Sequence, residues 1–333
     1  MRAVLFGLCG ALALAAETAG AAPKPAPGWA LEVVTKADAM FAGLARDGDD
    51  LLVTDLAAGR LWRRGRDGAF TTFGPTLPHG IDVIGDPTGP YAVQRHGGGY
   101  LVAQGWTPVE AVEGPYDHAL LKIDATNGVR VVNRDFWNPY HFAVAGERIY
   151  VVDAARNSIE RLAPDGARTT VATFGRLTQA ESALKSLSPT EFSGTKAYEF
   201  DAVPTGIALD GERIYVCLFG GFPFLANAGS VVSLSEIDPV IQIDVSGLDA
   251  PVDVAVTAGG STLFILEHGA FDQATGFVPG TGRLIAFDNL HGGRSIILDG
   301  LTRPAALLLW GDGEIVVSEL GGRLYFLKPK SAK

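Results

Sequence analysis

The sequence has very little cysteine. Only Cys9 and Cys217 occur among its 333 residues, and Cys9 lies in an N-terminal apolar run that we expect to be removed. Cys217 would then be the only cysteine of the mature chain, so no internal disulfide could form. Because Cys217 lies within an apolar strand, we predict a buried structural thiol rather than a nucleophile.

Positive charge is scarce as well. Lys and Arg number 27 against 37 Asp and Glu, which gives a formal net charge of -10. Phosphate backbones and anionic membranes bind to basic patches, so this balance argues against nucleic acid and membrane lipid as partners. Hydrophobic residues make up 47% of the chain and charged residues 19%, a composition typical of a folded domain with a sizeable core.

Long apolar runs are absent except at the N-terminus. There, Arg2 precedes the apolar stretch from Ala3 to Ala16, and an A-x-A cleavage site follows at Ala19 to Ala21. We predict a signal peptide over residues 1–21 and a Pro-rich linker over residues 22–28. The cleaved chain would have no membrane span and would be periplasmic or secreted. An uncleaved N-terminal anchor is the alternative.

The common catalytic motifs are also missing. The sequence contains no Gly-x-Ser-x-Gly elbow, no phosphate-binding loop and no zinc-ligand spacing. Nucleophilic catalysis by serine or cysteine is therefore not indicated by any motif.

A repeated pattern organises the rest of the chain. Its clearest copy runs from Val203 to Phe224, where two apolar runs flank the Asp210–Gly211 turn, a strong hairpin signal. Six such units follow one another, most of them introduced by a proline and built from three or four short strands. The introducing prolines are Pro78, Pro139, Pro204, Pro251 and Pro304. A short repeat of about 40–50 residues is the period of four-stranded propeller blades.

The two chain ends complement each other. The sixth unit shows only three strands, which end at Tyr325 to Leu327, whereas Leu31 to Thr35 forms a strand with no nearby partner. Pairing the two would protect both sheet edges. We therefore predict an all-β fold, a monomeric six-bladed β-propeller over residues 29–330 whose last blade is closed by the N-terminal strand. A β-sandwich is the alternative fold.

Four long loops are expected on one face of this propeller. They are the Gly105 to Asp117, Arg176 to Ala202, Phe219 to Asn227 and His268 to Thr281 segments, and a short helix is predicted from Gln179 to Leu187. Long loops rich in aromatic residues often form binding surfaces. The aromatic candidates for ligand binding are Trp106, Tyr116, Tyr140, Phe219, Phe222, Phe224 and Phe271, joined by Phe277. Packing of these rings into a rigid cap is the alternative. A further insertion, Gly85 to Gly99, which carries His96, is assigned to the opposite face.

Three segments carry a family resemblance. They are Asn138 to Gly175, Val203 to Phe224 and Pro251 to Gly269, with the Asn-Pro-Tyr and Gly-Phe-Pro-Phe strings as the most specific parts. Together they resemble the ScyD/ScyE family of exported β-propellers. The resemblance implies a six-bladed propeller in the wider superfamily of NHL, SMP-30/gluconolactonase and strictosidine-synthase-like proteins. It implies no particular catalytic residue.

An enzyme function is weighed against binding at the centre of the ring. In lactonases of the SMP-30 type, oxygen ligands after the introducing prolines hold Ca²⁺. Here those positions hold His79, Tyr140, Thr205, Val252 and Ala305, so the usual oxygen ligands are missing. A divalent metal would have to use His79, His141, Asp253 or Glu267. His141 and Asp253 are also the candidates for acid–base catalysis.

Four carboxylates that end second strands have a structural interpretation. We expect Asp55, Asp153, Glu267 and Glu319 to accept hydrogen bonds from loop backbones. The sequence thus predicts an exported propeller that binds a small molecule or a protein partner through its aromatic face. The alternative function is a metal-assisted hydrolase or lactonase at the mouth of the central channel.

Overall fold

A computed structural model describes residues 22–82, 85–106, 114–180 and 197–330. Six four-stranded antiparallel blades follow one another along the chain, as predicted. In each blade, strand 1 lies innermost and strand 4 outermost. Chain order places the connections between strands 1 and 2 and between strands 3 and 4 at one end of the blades. The other connections lie at the opposite end, which we call the leading-loop face because it carries the loop leading into each strand 1.

The strand bounds follow the repeat. Blade 1 contains Phe41–Asp47, Asp50–Asp55, Arg60–Arg64 and Phe70–Phe73. Blade 2 contains Pro90–His96, Gly99–Gln104, Ala119–Ile123 and Val129–Asn133. Blade 3 contains Pro139–Ala145, Arg148–Asp153, Ser158–Leu162 and Arg168–Thr173. Blade 4 contains Pro204–Asp210, Arg213–Leu218, Gly229–Ser235 and Gln242–Leu248.

The last two blades involve both ends of the chain. Blade 5 contains Pro251–Val256, Thr262–Glu267, Gly282–Asp288 and Arg294–Leu301. Blade 6 contains Pro304–Gly311, Glu314–Glu319 and Arg323–Pro329, and Trp29–Thr35 is its fourth strand. Leu31 pairs with Leu327 and Val33 with Tyr325, so the predicted closure of the ring is confirmed. Lys24–Pro25, within the segment predicted as a linker, forms a short strand against the edge of blade 5.

The hydrophobic core is divided among the six interfaces between neighbouring blades. Each of the six larger buried clusters draws side chains from two adjacent blades, including the pair formed by blades 6 and 1. Middle strands are therefore buried on both faces, as Leu51, Leu52 and Val53 show. Hydrogen bonds also cross the interfaces near the axis. The Ser318 hydroxyl of blade 6 donates to the Ala42 carbonyl of blade 1 over 2.5 Å.

Blade 2 begins later than the sequence analysis placed it. Its strand 1 is Pro90–His96, and Gly97 and Gly98 form the turn to strand 2. The assignment of Gly85 to Gly99 to an insertion was therefore wrong. In the described part of the apolar run after Pro78, Gly80–Ile81 forms a two-residue hairpin with Pro87–Thr88. Pro78 and Pro90 both carry the sequence signal of an introducing proline, but strand 1 begins at Pro90. The counterpart of Tyr140 in this blade is therefore Tyr91 rather than His79.

Elements outside the blades are short. Besides Lys24–Pro25 and the hairpin after Pro78, those in the described ranges are the hairpins Leu177–Ala180 with Ala197–Phe200 and Phe271–Asp272 with Gly276–Phe277, and the 3₁₀ turn Ala154–Arg156. Gln179 and Ala180, the first residues of the predicted short helix, lie in a strand, and the rest of that helix lies outside the described residues. Within the described ranges, no helix is both long and apolar enough to cross a membrane.

Candidate functional site

Every blade opens onto the leading-loop face with the same local geometry. The first residue of strand 1 pairs with the last residue of strand 2, and a β-bulge follows immediately. The six pairs are Phe41–Asp55, Pro90–Gln104, Pro139–Asp153, Pro204–Leu218, Pro251–Glu267 and Pro304–Glu319. A bulge leaves its extra residue outside the ladder and redirects its side chain. Tyr91, Tyr140 and Val252 are among the residues at these bulges.

The carboxylates that end second strands hold the leading loops in place. Asp55 accepts from the Met40 backbone N–H over 3.0 Å, and Asp153 accepts from the N–H groups of Trp137 and Asn138, each over 2.8 Å. Glu319 accepts from the Thr302 N–H over 2.7 Å. All three carboxylates are buried. Their lone pairs are therefore engaged with backbone groups, which supports the structural interpretation.

Glu267 has the same structural role. It accepts from the Asp249 N–H over 2.9 Å and from the Arg283 Nε over 2.7 Å. Burial raises the pKa of its carboxyl, and the bond from Asp249 and the charge of Arg283 oppose that shift. His79 is exposed, and its Nδ1 lies 3.0 Å from the Leu77 carbonyl oxygen. Two of the four metal candidates are thus engaged with other groups.

His141 and Asp253 hold corresponding positions in strand 1 of their blades, close enough for the charge of His141 to act on Asp253. Each lies two residues into strand 1, in blades 3 and 5, with Gly206 of blade 4 between them in the ring. A Cβ at Gly206 would lie only 2.5 Å from the Asp253 Cα, so glycine is required there. Asp253 is buried and accepts from the Leu307 N–H over 2.8 Å.

The electrostatics of this pair are unusual. Burial raises the pKa of the Asp253 carboxyl, and the nearby His141 and the Leu307 N–H partly offset that shift. The Nδ1 atom of His141 is buried and has no hydrogen-bond partner. A buried carboxyl with a raised pKa and an imidazole with an unpaired nitrogen within electrostatic range of it are groups of the kind used in acid–base catalysis.

Phenylalanines from blades 4 and 5 form one continuous cluster, which we call the Phe cluster. Its members are Phe219, Phe222, Phe224, Phe271 and Phe277. The closest ring pairs are Phe224–Phe271 at 4.9 Å and Phe271–Phe277 at 5.1 Å between centroids. Four of the five side chains are half-buried, whereas Phe222 is 39% exposed. The structure therefore brings these predicted ligand-binding residues together.

The other predicted aromatic residues make their ring contacts outside the Phe cluster. Trp106 packs edge-on against His118, with 5.7 Å between ring centroids. Tyr140 stacks at 5.0 Å on Tyr91. Tyr116 packs into the core between blades 1 and 2, which leaves it less available to a ligand. Most of the loop between Trp106 and Tyr116 lies outside the described residues.

Sequence reasoning missed a charged group at the channel mouth. Arg303 precedes the introducing proline of blade 6, and its Nη2 lies 3.0 Å from the Asp86 carboxylate. Its Nε lies 3.5 Å from Nε2 of His268, whose Nδ1 lies 2.8 Å from the Pro304 carbonyl oxygen. Burial and the Arg303 charge lower the pKa of His268 to about 3, so its imidazole is neutral at pH 7.

The backbone conformation before three of the introducing prolines could not have been predicted from the sequence. Val203, Ala250 and Arg303 each precede an introducing proline and have positive φ angles of 48°, 50° and 52°. None of these residue types favours that region. Trp137, which is 45% exposed and lies under the guanidinium of Arg156 at 5.3 Å, was also missed, because no repeat position marks it.

Comparisons with known proteins agree with the architecture. No protein-family model and no curated protein sequence matches the chain. Among solved structures, a gluconolactonase from Xanthomonas campestris is similar with a TM-score of 0.60 at 13% identity, over 90% of this chain and 89% of that one. A streptogramin B lyase has a TM-score of 0.56 at 13% identity, over 91% and 98% of the two chains.

A third similar structure is a carbohydrate-active enzyme of family AA12 from Trichoderma reesei. Its TM-score is 0.56 at 14% identity, over 98% of this chain and 100% of that one. Similarity at identities this low establishes a shared fold but does not establish a shared activity. The narrower resemblance to the ScyD/ScyE family stays a prediction, and the chain has the six-bladed β-propeller fold found in gluconolactonase and SMP-30-like proteins.

Proposed function

We propose that this protein is an exported propeller that binds a small molecule or a protein partner through aromatic side chains on its leading-loop face. The observation that carries the proposal is the Phe cluster, which presents the exposed ring of Phe222 while Phe224 and Phe271 pack against it at 6.1 and 6.4 Å. Export rests on the apolar N-terminal segment and its cleavage site.

The arrangement suits binding better than capping alone. A cap would bury its rings completely, whereas this cluster keeps a large apolar side chain in contact with solvent. Grouped exposed apolar surface commonly marks an interaction site. The neighbouring rings hold Phe222 in place before a ligand arrives, so binding would cost less conformational entropy.

Binding of the neutral fluorescent probe N-phenyl-1-naphthylamine tests this function. We expect the mature protein to bind the probe and the double variant Phe222→Ala/Phe271→Ala to bind it at least 10-fold more weakly. Ile237→Ala is the matched control, since Ile237 is 84% exposed but follows strand 3 of blade 4 at the opposite end. Equal binding by the wild-type and double-variant proteins would contradict the proposal.

A hydrolase or lactonase is the second candidate function. The unpaired Nδ1 of His141 and the buried carboxyl of Asp253, which the charge of His141 influences, favour it. The metal proposed from the sequence does not fit this site, because Glu267 and His79 are engaged elsewhere. In the parts of the chain that the structure describes, no group of three or more His, Cys, Asp or Glu side chains could hold a metal ion. The pair would therefore act in proton transfer.

Hydrolysis of a lactone panel tests this second function. Activity that is lost in both His141→Gln and Asp253→Asn, with each variant still folded, would support it. Thermal-shift measurements with Ca²⁺, Zn²⁺ and Mn²⁺ form the metal arm. A stoichiometric metal that raises the melting temperature of the wild type, but not that of the two variants, would show that the metal-assisted mechanism is correct after all. No turnover by the wild type would exclude the function for that panel.

A further inference from the structure

Buried polar atoms without hydrogen-bond partners concentrate where blades 2 and 3 reach the leading-loop face. Within the described ranges, they include Gln104 Oε1, Trp106 Nε1, Asn138 Oδ1 and His141 Nδ1. Each such atom costs about 1–3 kcal/mol when nothing satisfies it. Four of them in two adjacent blades therefore call for a physical explanation.

Contacts connect Trp106 and Asn138 through neighbouring rings. Trp106 packs on His118, whose Nδ1 lies 2.6 Å from the carbonyl oxygen of Trp137. Asn138 follows Trp137 directly in the chain. We call Gln104, Trp106, His118, Trp137, Asn138 and Tyr140 the blade 2–3 surface.

Tyrosine rings complete this surface towards the axis. Tyr140 stacks on Tyr91 at 5.0 Å, and Tyr91 fills the space at Gly105 so closely that a Cβ there would collide with its ring. Because Gly105 lies between Gln104 and Trp106, this close approach connects the two tyrosine rings to those residues. His141 lies one residue beyond Tyr140.

The unpaired atoms define the chemistry of a ligand. The indole Nε1–H of Trp106 only donates, and the amide oxygens of Gln104 and Asn138 only accept. A hydroxyl group can serve both kinds, since it has one donor and two acceptor lone pairs. All three atoms are enclosed in the unliganded protein, so the side chains around them would have to move apart for ligand hydroxyls to reach them.

The same surface favours a ring without net charge. The 45% exposed Trp137 offers an aromatic ring to solvent, and Tyr140 lies half-buried against Tyr91. The guanidinium that lies over the Trp137 ring, that of Arg156, is already paired with Asp135 over 2.7 Å. A charged ligand would lose its hydration here without gaining a free counter-charge.

We propose that the blade 2–3 surface is a binding site for an uncharged ring that carries at least two hydroxyl groups. The chemistry is shared by pyranose-type sugars and dihydroxyphenols. The proposal rests on the proposed function only in using the same face, because none of its residues belongs to the Phe cluster.

Calorimetric titration of the mature protein tests this assignment. The neutral probes are methyl α-D-glucopyranoside and catechol, one for each source of the chemistry, and gluconate and phenyl phosphate are their charged counterparts. We expect one neutral probe to bind with a Kd below 1 mM and its charged counterpart at least 10-fold more weakly. Trp106→Phe keeps the aromatic ring but removes the donor, and should weaken binding about 5-fold, the loss of one hydrogen bond.

Two further variants separate this site from the Phe cluster. Asn138→Leu should weaken binding about 5- to 10-fold, whereas Phe222→Ala should change it less than 2-fold. The assignment would be overturned if neither neutral probe bound at 10 mM or if a charged counterpart bound more tightly. It would also be overturned if Trp106→Phe and Asn138→Leu both bound the probe as tightly as the wild type. If the apolar naphthylamine probe still requires Phe222 and Phe271 in that case, the proposed function stands and only the blade 2–3 site falls.

Discussion

Two halves of one face differ in how completely their side chains are satisfied. On blades 4 and 5, the Phe cluster is apolar and its rings pack on one another at 4.9–6.4 Å. On blades 2 and 3, tryptophan, tyrosine and histidine side chains occur together with buried polar atoms that lack partners. The rings of the Phe cluster stabilise one another by packing, whereas the unpaired polar atoms of blades 2 and 3 need hydrogen-bond partners that this part of the protein does not supply.

The difference has a thermodynamic meaning. Apolar clusters contribute to folding whether or not a ligand is present, because they remove surface from water. Unsatisfied buried polar groups oppose folding and persist when they serve another purpose. Natural proteins often lose stability at binding sites in this way. We therefore expect the Phe cluster of blades 4–5 to contribute more to stability, and we propose polar recognition for blades 2–3.

Removing the central ring of the Phe cluster should give the largest effect. Phe224 contacts Phe219, Phe222, Phe271 and Phe277 and is half-buried, so Phe224→Ala should lower the free energy of unfolding by about 2–3 kcal/mol. Trp137→Ala, at an exposed ring of the other half, should cost less than about 1 kcal/mol. Urea denaturation measures both. Equal losses would remove the distinction between the two halves.

Lowering the pH should destabilise the protein through His268, which lies in blade 5 beside the Phe cluster. Its pKa of about 3 in the folded protein lies below the value of 6.5 expected when it is unfolded. The unfolded state therefore binds the proton first, and stability falls as the pH drops below about 6.5. This residue alone should cost about 1.5 kcal/mol between pH 6.5 and pH 5.

The His268→Asn variant isolates this contribution. Asparagine can still donate to the Pro304 carbonyl but does not titrate. Subtracting the pH profile of the variant from that of the wild type removes the opposite effects of Asp253 and Glu267, whose pKa values burial raises. Parallel profiles in urea denaturation from pH 6.5 to pH 5 would contradict the account.

Replacing one unpaired atom should give the smallest effect, and one of opposite sign. Asn138→Leu removes a buried acceptor without a partner and should raise the free energy of unfolding by about 1 kcal/mol. The control is Asn289, whose Nδ2 donates to the Gly260 carbonyl over 2.9 Å. Asn289→Leu should be destabilising by about 1 kcal/mol. If Asn138→Leu were destabilising as well, the Asn138 amide would have a hydrogen-bond partner in solution. Blades 2 and 3 would then no longer differ from blades 4 and 5 in having this unpaired buried atom.

Much of the fold was predictable because it repeats. Asp–Gly turns and introducing prolines recur along the chain, so an error in one blade did not affect the others. The closure of blade 6 by Leu31 to Thr35 followed from the missing strand alone. The start of blade 2 was misplaced because Pro78 and Pro90 carry the same signal, and only packing against blade 1 distinguishes them.

The site was less predictable because it depends on contacts between blades. Aromatic content identified Phe222 and Trp106, but not that one joins a self-packed cluster and the other lies beside unpaired polar atoms. Trp137 and Arg303 carry no periodic signal, and Tyr91 was hidden by the misplaced blade. Which polar atoms find partners is decided by tertiary distances that a single sequence does not contain.

Amide hydrogen exchange with and without a saturating neutral probe tests the central claim most directly. With whichever of methyl α-D-glucopyranoside and catechol binds more tightly, we expect slower exchange at residues 104–106 and 137–141 and no change at residues 236–243 at the opposite end. Protection at residues 236–243, or no protection at residues 104–106 and 137–141 when the probe is bound, would contradict the account.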